Sequence, residues 1–408
     1  MTSLTSDNRR FLHPTASAAT SLAIIAMPTF LLGAFAPTIK DELGFGDTAL
    51  GAIFTTGYLV SAITMQLTGQ LADTRGPGRS LRLGLLIAGT GSMAMAVFGE
   101  GYWLILIIFL VIRVGDSLVH PASNALVSVM VPPPQQGRAF GIKQAAIPFS
   151  TALAGLAVPV LGGSIGWRGA LAIVAILAIP TYLLVPRNVP MREKPARTRS
   201  DLWRLRHLQA ISIGGALGAA SVVTVAGFLT TAAEDAGFSE QSAGLLLAAG
   251  GVVMIASRLA WGWLADRFAF DRFLGVAVAL AIGSGAYLLF ATQQKWALVV
   301  GSLIVFGVGW SWPGLMILGV AEKHPNEPAS ATAVLQSSVR IGALGAPLAF
   351  GAVIDSAGFT AAWMMTFAFA LAGAVMMVVG AAAARKIDPD EVVSSTADEG
   401  REMLGHDG

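Results

Sequence analysis

Gly69-Gln70-Leu71-Ala72-Asp73-Thr74-Arg75-Gly76 closes one apolar run of this 408-residue chain, and Gly262-Trp263-Leu264-Ala265-Asp266-Arg267 closes another. The two phrases lie 193 positions apart. The same offset sets Leu43-Gly44-Phe45-Gly46 against Ala236-Gly237-Phe238-Ser239, each at the opening of the run that leads to its phrase. An offset of 192 sets Gln144 against Gln336 and Gly166-Trp167 against Gly358-Phe359. Self-similarity at about half the chain length predicts a duplicated bundle. In a membrane, two such halves can rock about a site held between them.

Composition places the chain in a bilayer. Hydrophobic residues make up 54% and charged residues 12%, against roughly 25% charged in a soluble domain. Mean hydropathy is +0.68. The charges gather in short islands between apolar stretches of about 20 residues, the length a helix needs to cross the hydrocarbon. The 47 Gly and 19 Pro would weaken a soluble helical protein. Membrane helices tolerate both, because small residues permit close packing and neighbours satisfy freed backbone groups. With no cysteine, disulfides and thiolate metal sites are excluded. The net charge of +2 points to no nucleic-acid partner. The polar start, Met1 to His13 with Arg9 and Arg10, precedes a run that reads as a retained span, not a signal peptide.

The apolar runs predict an all-α membrane protein of twelve spans in two pseudo-symmetric six-helix bundles. Residues 1–16 form an N-terminal tail, 17–187 the first bundle, 188–206 a basic linker with Pro190 and Pro195, 207–385 the second bundle, and 386–408 an acidic tail. The basic residues test that count. An N-terminus in the cytoplasm puts Arg75, Arg79, Arg82, Arg138, the linker cations, Arg267, Arg272, Lys323 and Arg385 inside. Only Lys40, Arg168 and Lys295 remain outside, among Asp41, Glu42, Asp47, Glu100, Glu234, Asp235 and Glu240. That bias predicts a multi-pass protein of the cell membrane with both termini cytoplasmic.

The repeated phrase resembles the signature of the major facilitator superfamily, which joins the second and third spans as Gly-x-Leu-Ala-Asp-basic-x-Gly. Gly69 to Gly76 follows it with Thr74 at the basic position. The second copy follows it through Arg267 and departs at Ala269, where the signature has Gly. The resemblance covers nearly the whole chain in length, span number, repeat and linker position. It implies a secondary transporter working by alternating access, with the first, fourth, seventh and tenth spans around a central cavity. Gly69, Asp73, Arg75 and Gly76, with Gly262, Asp266 and Arg267, are the candidate gating residues. The glycines allow close helix approach, and the acids suit the N-terminus of a helix in the other half. The repeat aims Asp73 at the eleventh span near Ala329 and Asp266 at the fifth near Arg138.

Charges at bilayer depth are the functional shortlist, since each costs about 2.5–3.5 kcal/mol on insertion scales. They are Arg113, Asp116 and His120 in the fourth span (Trp103–Val131), Arg258 in the eighth and Arg340 in the eleventh, with Lys143 about one turn inside the fifth. Arg113, Ser117, His120 and Asn124 share one helix face, with Asp116 beside it. Arg113 and Asp116, three residues apart, could also neutralise each other. Arg340 has Gln336 one turn before it and no acid nearby in sequence, so it needs a distant carboxylate or an anionic substrate. Gly309-Trp310-Ser311-Trp312-Pro313-Gly314 predicts a bend in the tenth span, with Trp310 either walling a cavity or packing on a helix. Pro28, Pro37 and Pro148 predict bends with no chemistry of their own.

The substrate-binding candidates are therefore Arg113, Ser117, His120, Asn124, Gln336, Arg340 and Trp310, and the proton-coupling candidates Asp116 and His120. They favour proton-coupled transport of a small, monocarboxylate-like organic anion by a monomer that uses no cofactor. The alternative is proton-driven efflux of a drug-like or toxic compound. Antiporters of the family carry Gly-Pro-x-x-Gly-Gly in the fifth span, and Val158-Pro159-Val160-Leu161-Gly162-Gly163 keeps all but the first Gly. A membrane-embedded enzyme is disfavoured. The five histidines form no H-E-x-x-H pair and no phosphate loop is present, so neither metal nor ATP is expected.

Overall fold

The computed structural model describes residues 2–132, 135–187, 189, 202–324 and 328–385. Within them it describes every side chain except those of 2–10, 66, 67, 69–74, 137, 203, 262, 266, 328–330 and 333. The tail after Arg385 and most of the basic linker lie outside the described residues. Among the described residues, eleven helical stretches are long and apolar enough to cross a membrane. The last of them, Val334–Ala384, is two passes, because Gly358 at φ 78° and ψ 174° interrupts it. The passes therefore number twelve, in two six-helix bundles.

The first bundle holds α1 (Thr2–Ala34) with its continuation α2 (Ala36–Leu43), α3 (Asp47–Arg75), α4 (Pro77–Phe98), α5 (Tyr102–Met130), α6 (Gln136–Gln144) with α7 (Ala146–Leu161), and α8 (Gly166–Leu184). The second holds α9 (Arg206–Asp235), α10 (Glu240–Arg267), α11 (Arg272–Ala291), α12 (Lys295–Ile304) with α13 (Pro313–Lys323), and α14 (Pro328–Ala384). An even number of passes puts the start of α1 and the end of α14 on one face, here the termini face; the opposite one is the far face. On the termini face Gly76 ends α3 and opens α4 at φ 87°, a left-handed angle that accounts for the signature's glycine. The second copy turns instead through Phe268 at φ −122°, so Ala269 meets no such demand.

The bundles meet where α3 packs on α14, α7 on α10 and α1 on α9. Two of these seams are the same contact made twice. A Cβ on Gly51 of α3 would overlap the carbonyl of Pro347 in α14, and a Cβ on Gly155 of α7 would meet the carbonyl of Gly244 in α10 at 2.6 Å. Gly244 stands 193 positions after Gly51, and Pro347 stands 192 after Gly155. The duplication read in the sequence is thus a duplication of contacts, with backbones brought together by small residues.

Prolines supply the polar half of these seams. Proline has no N–H, so the carbonyl four residues earlier loses its helical partner. Among the described residues three such carbonyls are taken by other helices. Pro37 frees the Gly33 carbonyl, which accepts from Thr230 Oγ1 of α9 at 2.6 Å. Pro121 frees that of Ser117, which accepts from Thr68 Oγ1 of α3 at 2.8 Å. Pro148 frees that of Gln144, which accepts from Arg258 Nη1 of α10 at 3.0 Å. The expectation that Pro37 and Pro148 only bend their helices is corrected here: each creates an acceptor that ties one bundle to the other.

The far face is shut. Asp355 of α14 accepts from the backbone N–H groups of Asp47 (3.3 Å) and Thr48 (2.8 Å) at the start of α3, a carboxylate against a helix N-terminus. Thr38 donates to Glu240 at the start of α10 at 2.6 Å. Beneath them the rings of Phe54, Phe228 and Phe350 meet across the seam, with centroids 6.5 and 5.0 Å apart. Because the chain has no native cysteine, this closure can be read by alkylation of a Phe54→Cys variant. Adding Gly51→Val should wedge α3 from α14 and raise the alkylation rate of purified protein severalfold; an unchanged rate would mean that the helices yield elsewhere.

Candidate functional site

Between the bundles lies a cavity of about 220 Å³. Five stretches wall it: Tyr58, Ser61, Ala62 and Met65 of α3; Arg113, Asp116 and His120 of α5; Ala219, Val222 and Val223 of α9; Trp310, Trp312 and Pro313; and Val339, Arg340 and Ala343 of α14. The fourth stretch owes its position to a break. A π-helical turn, Val305–Gly309, inserts an extra residue after α12, and the chain restarts as α13 at Pro313. Gly283 of α11 lies against Gly309 there, where a Cβ would stand 2.8 Å from its Cα. The break turns Trp310 to the cavity, its ring tilted against Phe306 at 5.7 Å.

The charges of α5 form a closed set. Asp116 is 4% exposed, and its oxygens meet Arg113 Nη2 at 3.0 Å, His120 Nε2 at 3.3 Å and the Ser61 hydroxyl at 2.8 Å. Arg113 also donates through Nε to the Gly57 carbonyl and through Nη1 to Thr29, both at 3.4 Å, and lies 5.1 Å over the Tyr58 ring. The local pair weighed in the sequence is therefore formed, and a hydroxyl from α3 completes it. His120 is its most accessible member, with a side chain 31% exposed. Arg340 stands apart. It lines the cavity from α14, and among the described residues no carboxylate lies within 4.0 Å of its nitrogens.

Arg113, Asp116, His120, Arg340 and Trp310 thus meet at one cavity, whereas Ser117, Asn124 and Gln336 are not on its wall. Ser117 is fully buried, its hydroxyl turned back to the Val114 carbonyl at 2.7 Å. Asn124 faces α6, where its Oδ1 accepts from the Lys143 amine. Gln336 is exposed, away from the lining. Lys143, 2% exposed, stays inside the first bundle with Asn124 and the Phe140 ring. Of the gating candidates, Arg75 and Arg267 are exposed at their helix ends. Asp73 and Asp266, with positions 69 and 262, lie outside the residues whose side-chain surroundings are described. Tyr58, Ser61 and Met65 escaped the sequence reading, which searched for charges. Their spacing of three and seven residues along one helix face is the signal that would have found them.

Two bundles closed around a central cavity of this kind define a membrane transporter. A family model described as Major Facilitator Superfamily matches residues 18–347 and again 211–402, and the chain belongs to that family. An MFS-type efflux pump of Mycolicibacterium smegmatis is 25% identical over 351 residues, 80% of each chain. An uncharacterized MFS-type transporter of Burkholderia mallei is 25% identical over 373 residues, 87% of this chain and 88% of that one. The fold is similar to that of the nucleoside transporter NupG, with a TM-score of 0.72 at 16% identity, covering 92% of this chain and 99% of that one. It is also similar to a bacterial homologue of the human lysosomal transporter Spinster, solved inward-facing and occupied. That TM-score is 0.70 at 16% identity, covering 92% and 95% of the two chains.

Removing one partner of a buried ion pair strands the other, at a cost of about 3–5 kcal/mol. Asp116→Asn should therefore lower the melting temperature of the purified protein markedly, by leaving Arg113 unpaired. Arg113→Met with Asp116→Leu should recover most of that loss. Equal melting of Asp116→Asn and wild type would show that the pair carries no stability.

Proposed function

We propose that this transporter moves a small organic anion, most simply a monocarboxylate, across the cell membrane together with a proton. One observation carries the reading: Arg340 faces the cavity with no carboxylate in ion-pairing range among the described residues, while Asp116 is already held by Arg113, His120 and Ser61. The cavity keeps a surplus positive charge until an anion enters. A guanidinium suits a carboxylate, since its planar fork makes charge-assisted hydrogen bonds worth roughly 1.5–3 kcal/mol each. His120 is the proton carrier, being the most accessible member of the cluster and of the residue type suited to proton transfer. Asp116 holds it in place. The concentration of basic residues on the termini face supports cytoplasmic termini.

Efflux of drug-like compounds is the second reading, supported by the name of the Mycolicibacterium smegmatis relative. The cavity argues against it. About 220 Å³ falls below the roughly 300–1,000 Å³ of sites for drug-sized ligands.

In proteoliposomes, Arg340→Ala should abolish anion binding without improving that of cations. Arg340→Lys should lose most of it, because the charge stays but the fork goes. His120→Gln should exchange bound substrate yet lose pH-driven accumulation. If cationic or neutral lipophilic compounds bind and Arg340→Ala leaves them bound, efflux replaces uptake.

The repeated phrase keeps its proposed role as the cytoplasmic gate, formed by Gly69, Asp73, Arg75 and Gly76 with Gly262, Asp266 and Arg267. A lost charge–dipole contact at a helix N-terminus is worth about 0.3–1 kcal/mol. Asp73→Asn should therefore reduce cross-linking of cysteine pairs set across the termini face, and unchanged cross-linking would reduce the acids to turn formers.

A further inference from the structure

We infer that the ligand is an amphiphilic monoanion, one carboxylate joined to an apolar, ring-sized body; the inference rests on the anion reading above. The wall of the cavity is divided by chemistry. Its charged groups come from α5 and from Arg340, and with His120 neutral the surplus among them is a single positive charge. The walls from α9 and the tenth span present Ala219, Val222, Val223, Trp310, Trp312 and Pro313, apolar but for the two indole N–H groups. This is a choice of face, since α9 also carries Ser221 and Thr224. Both are buried and turned back on their own helix, to the Gly218 carbonyl at 2.7 Å and the Ser221 carbonyl at 2.9 Å. Trp310, backed by Phe306, offers an aromatic surface at the break that follows the π-helical turn.

A small polar acid would fill the charged end and leave this apolar wall facing water, gaining nothing from it. A ring on the same carboxylate would cover the wall and displace that water, a gain proportional to the apolar area removed from solvent. A second carboxylate would meet no second free cation, because the donors of Arg113 already serve Asp116, Gly57 and Thr29, and His120 Nε2 already lies against Asp116. Trp310 and the α9 valines thus set the body that is accepted, and Arg340 sets the charge.

The test uses the full-length protein purified in detergent, with affinities from titration calorimetry for acetate, benzoate, phthalate and benzyl alcohol. Benzoate should bind at least tenfold more tightly than acetate, and also more tightly than phthalate or benzyl alcohol. Trp310→Ala should bring benzoate close to acetate while leaving acetate unchanged, whereas Arg340→Ala should remove both. Should Trp310→Ala fail to fold, Val222→Asn asks the same question from the α9 wall and should weaken benzoate alone. Equal binding of acetate and benzoate, both lost in Arg340→Ala, overturns this inference and leaves the anion reading standing. Phthalate binding as well as benzoate overturns the single-charge assignment. Benzyl alcohol binding as well as benzoate and surviving Arg340→Ala overturns both readings, as does failure of every probe to bind.

Discussion

A backbone carbonyl released inside a bilayer must find a donor, because no water is there to provide one. That constraint organises the seam between the halves of this protein. Pro37, Pro121 and Pro148 each leave a carbonyl without its helical partner, and Thr230, Thr68 and Arg258 reach in from other helices to take them. Two of the three bonds cross from bundle to bundle. Each is a single hydrogen bond, worth a net 0.5–1.5 kcal/mol or so when neutral and about 1.5–3 kcal/mol when the donor is charged. Ties of that size hold a chosen arrangement and can still be given up during a rocking motion. Glycines make the ties possible, since Gly33 lets α1 approach α9 and Gly155 lets α7 approach α10 until side chains no longer separate them. Proline and glycine, the residues that most weaken a soluble helix, here specify where one bundle meets the other.

Much of this was legible in the sequence because it depends on period and position. Span length, the offset of the repeat and the break between Ile354 and Ala361 are all one-dimensional properties, and Gly358 falls inside that break. The short charge list was legible as well, since a membrane makes every ionisable residue conspicuous. What escaped depends on neighbours from elsewhere in the chain. The helical wheel placed Ser117 and Asn124 beside Arg113 correctly as angles. It could not show that Ser117 would satisfy itself on the Val114 carbonyl, or that Lys143 would donate to Asn124. Nor could periodicity show the π-helical turn at Val305–Gly309, which lies where Gly309 closely approaches Gly283 on α11. The phrase that decided the fold keeps part of its account to itself. Gly76 is explained by its backbone angle, and the surroundings of Asp73 and Asp266 lie outside the described residues.

Duplication gave the halves one scaffold, and a few substitutions gave them different work. Position 340 follows position 148 by 192 residues, the offset that pairs Gln336 with Gln144. On α7 that position is Pro148, whose missing N–H offers an acceptor to the opposite bundle. On α14 it is Arg340, whose guanidinium faces the cavity. The equivalent points of two equivalent helices thus serve the seam in one half and the site in the other. The first bundle answers with a charge set of its own on α5, but closes it through Asp116, so that Arg113 has little left to offer a ligand. An unpaired cation on one bundle facing a satisfied cluster on the other is an asymmetry that packing alone has no use for. A cation without a counter-charge at bilayer depth costs stability, and a protein retains such a cost where a ligand supplies the missing charge.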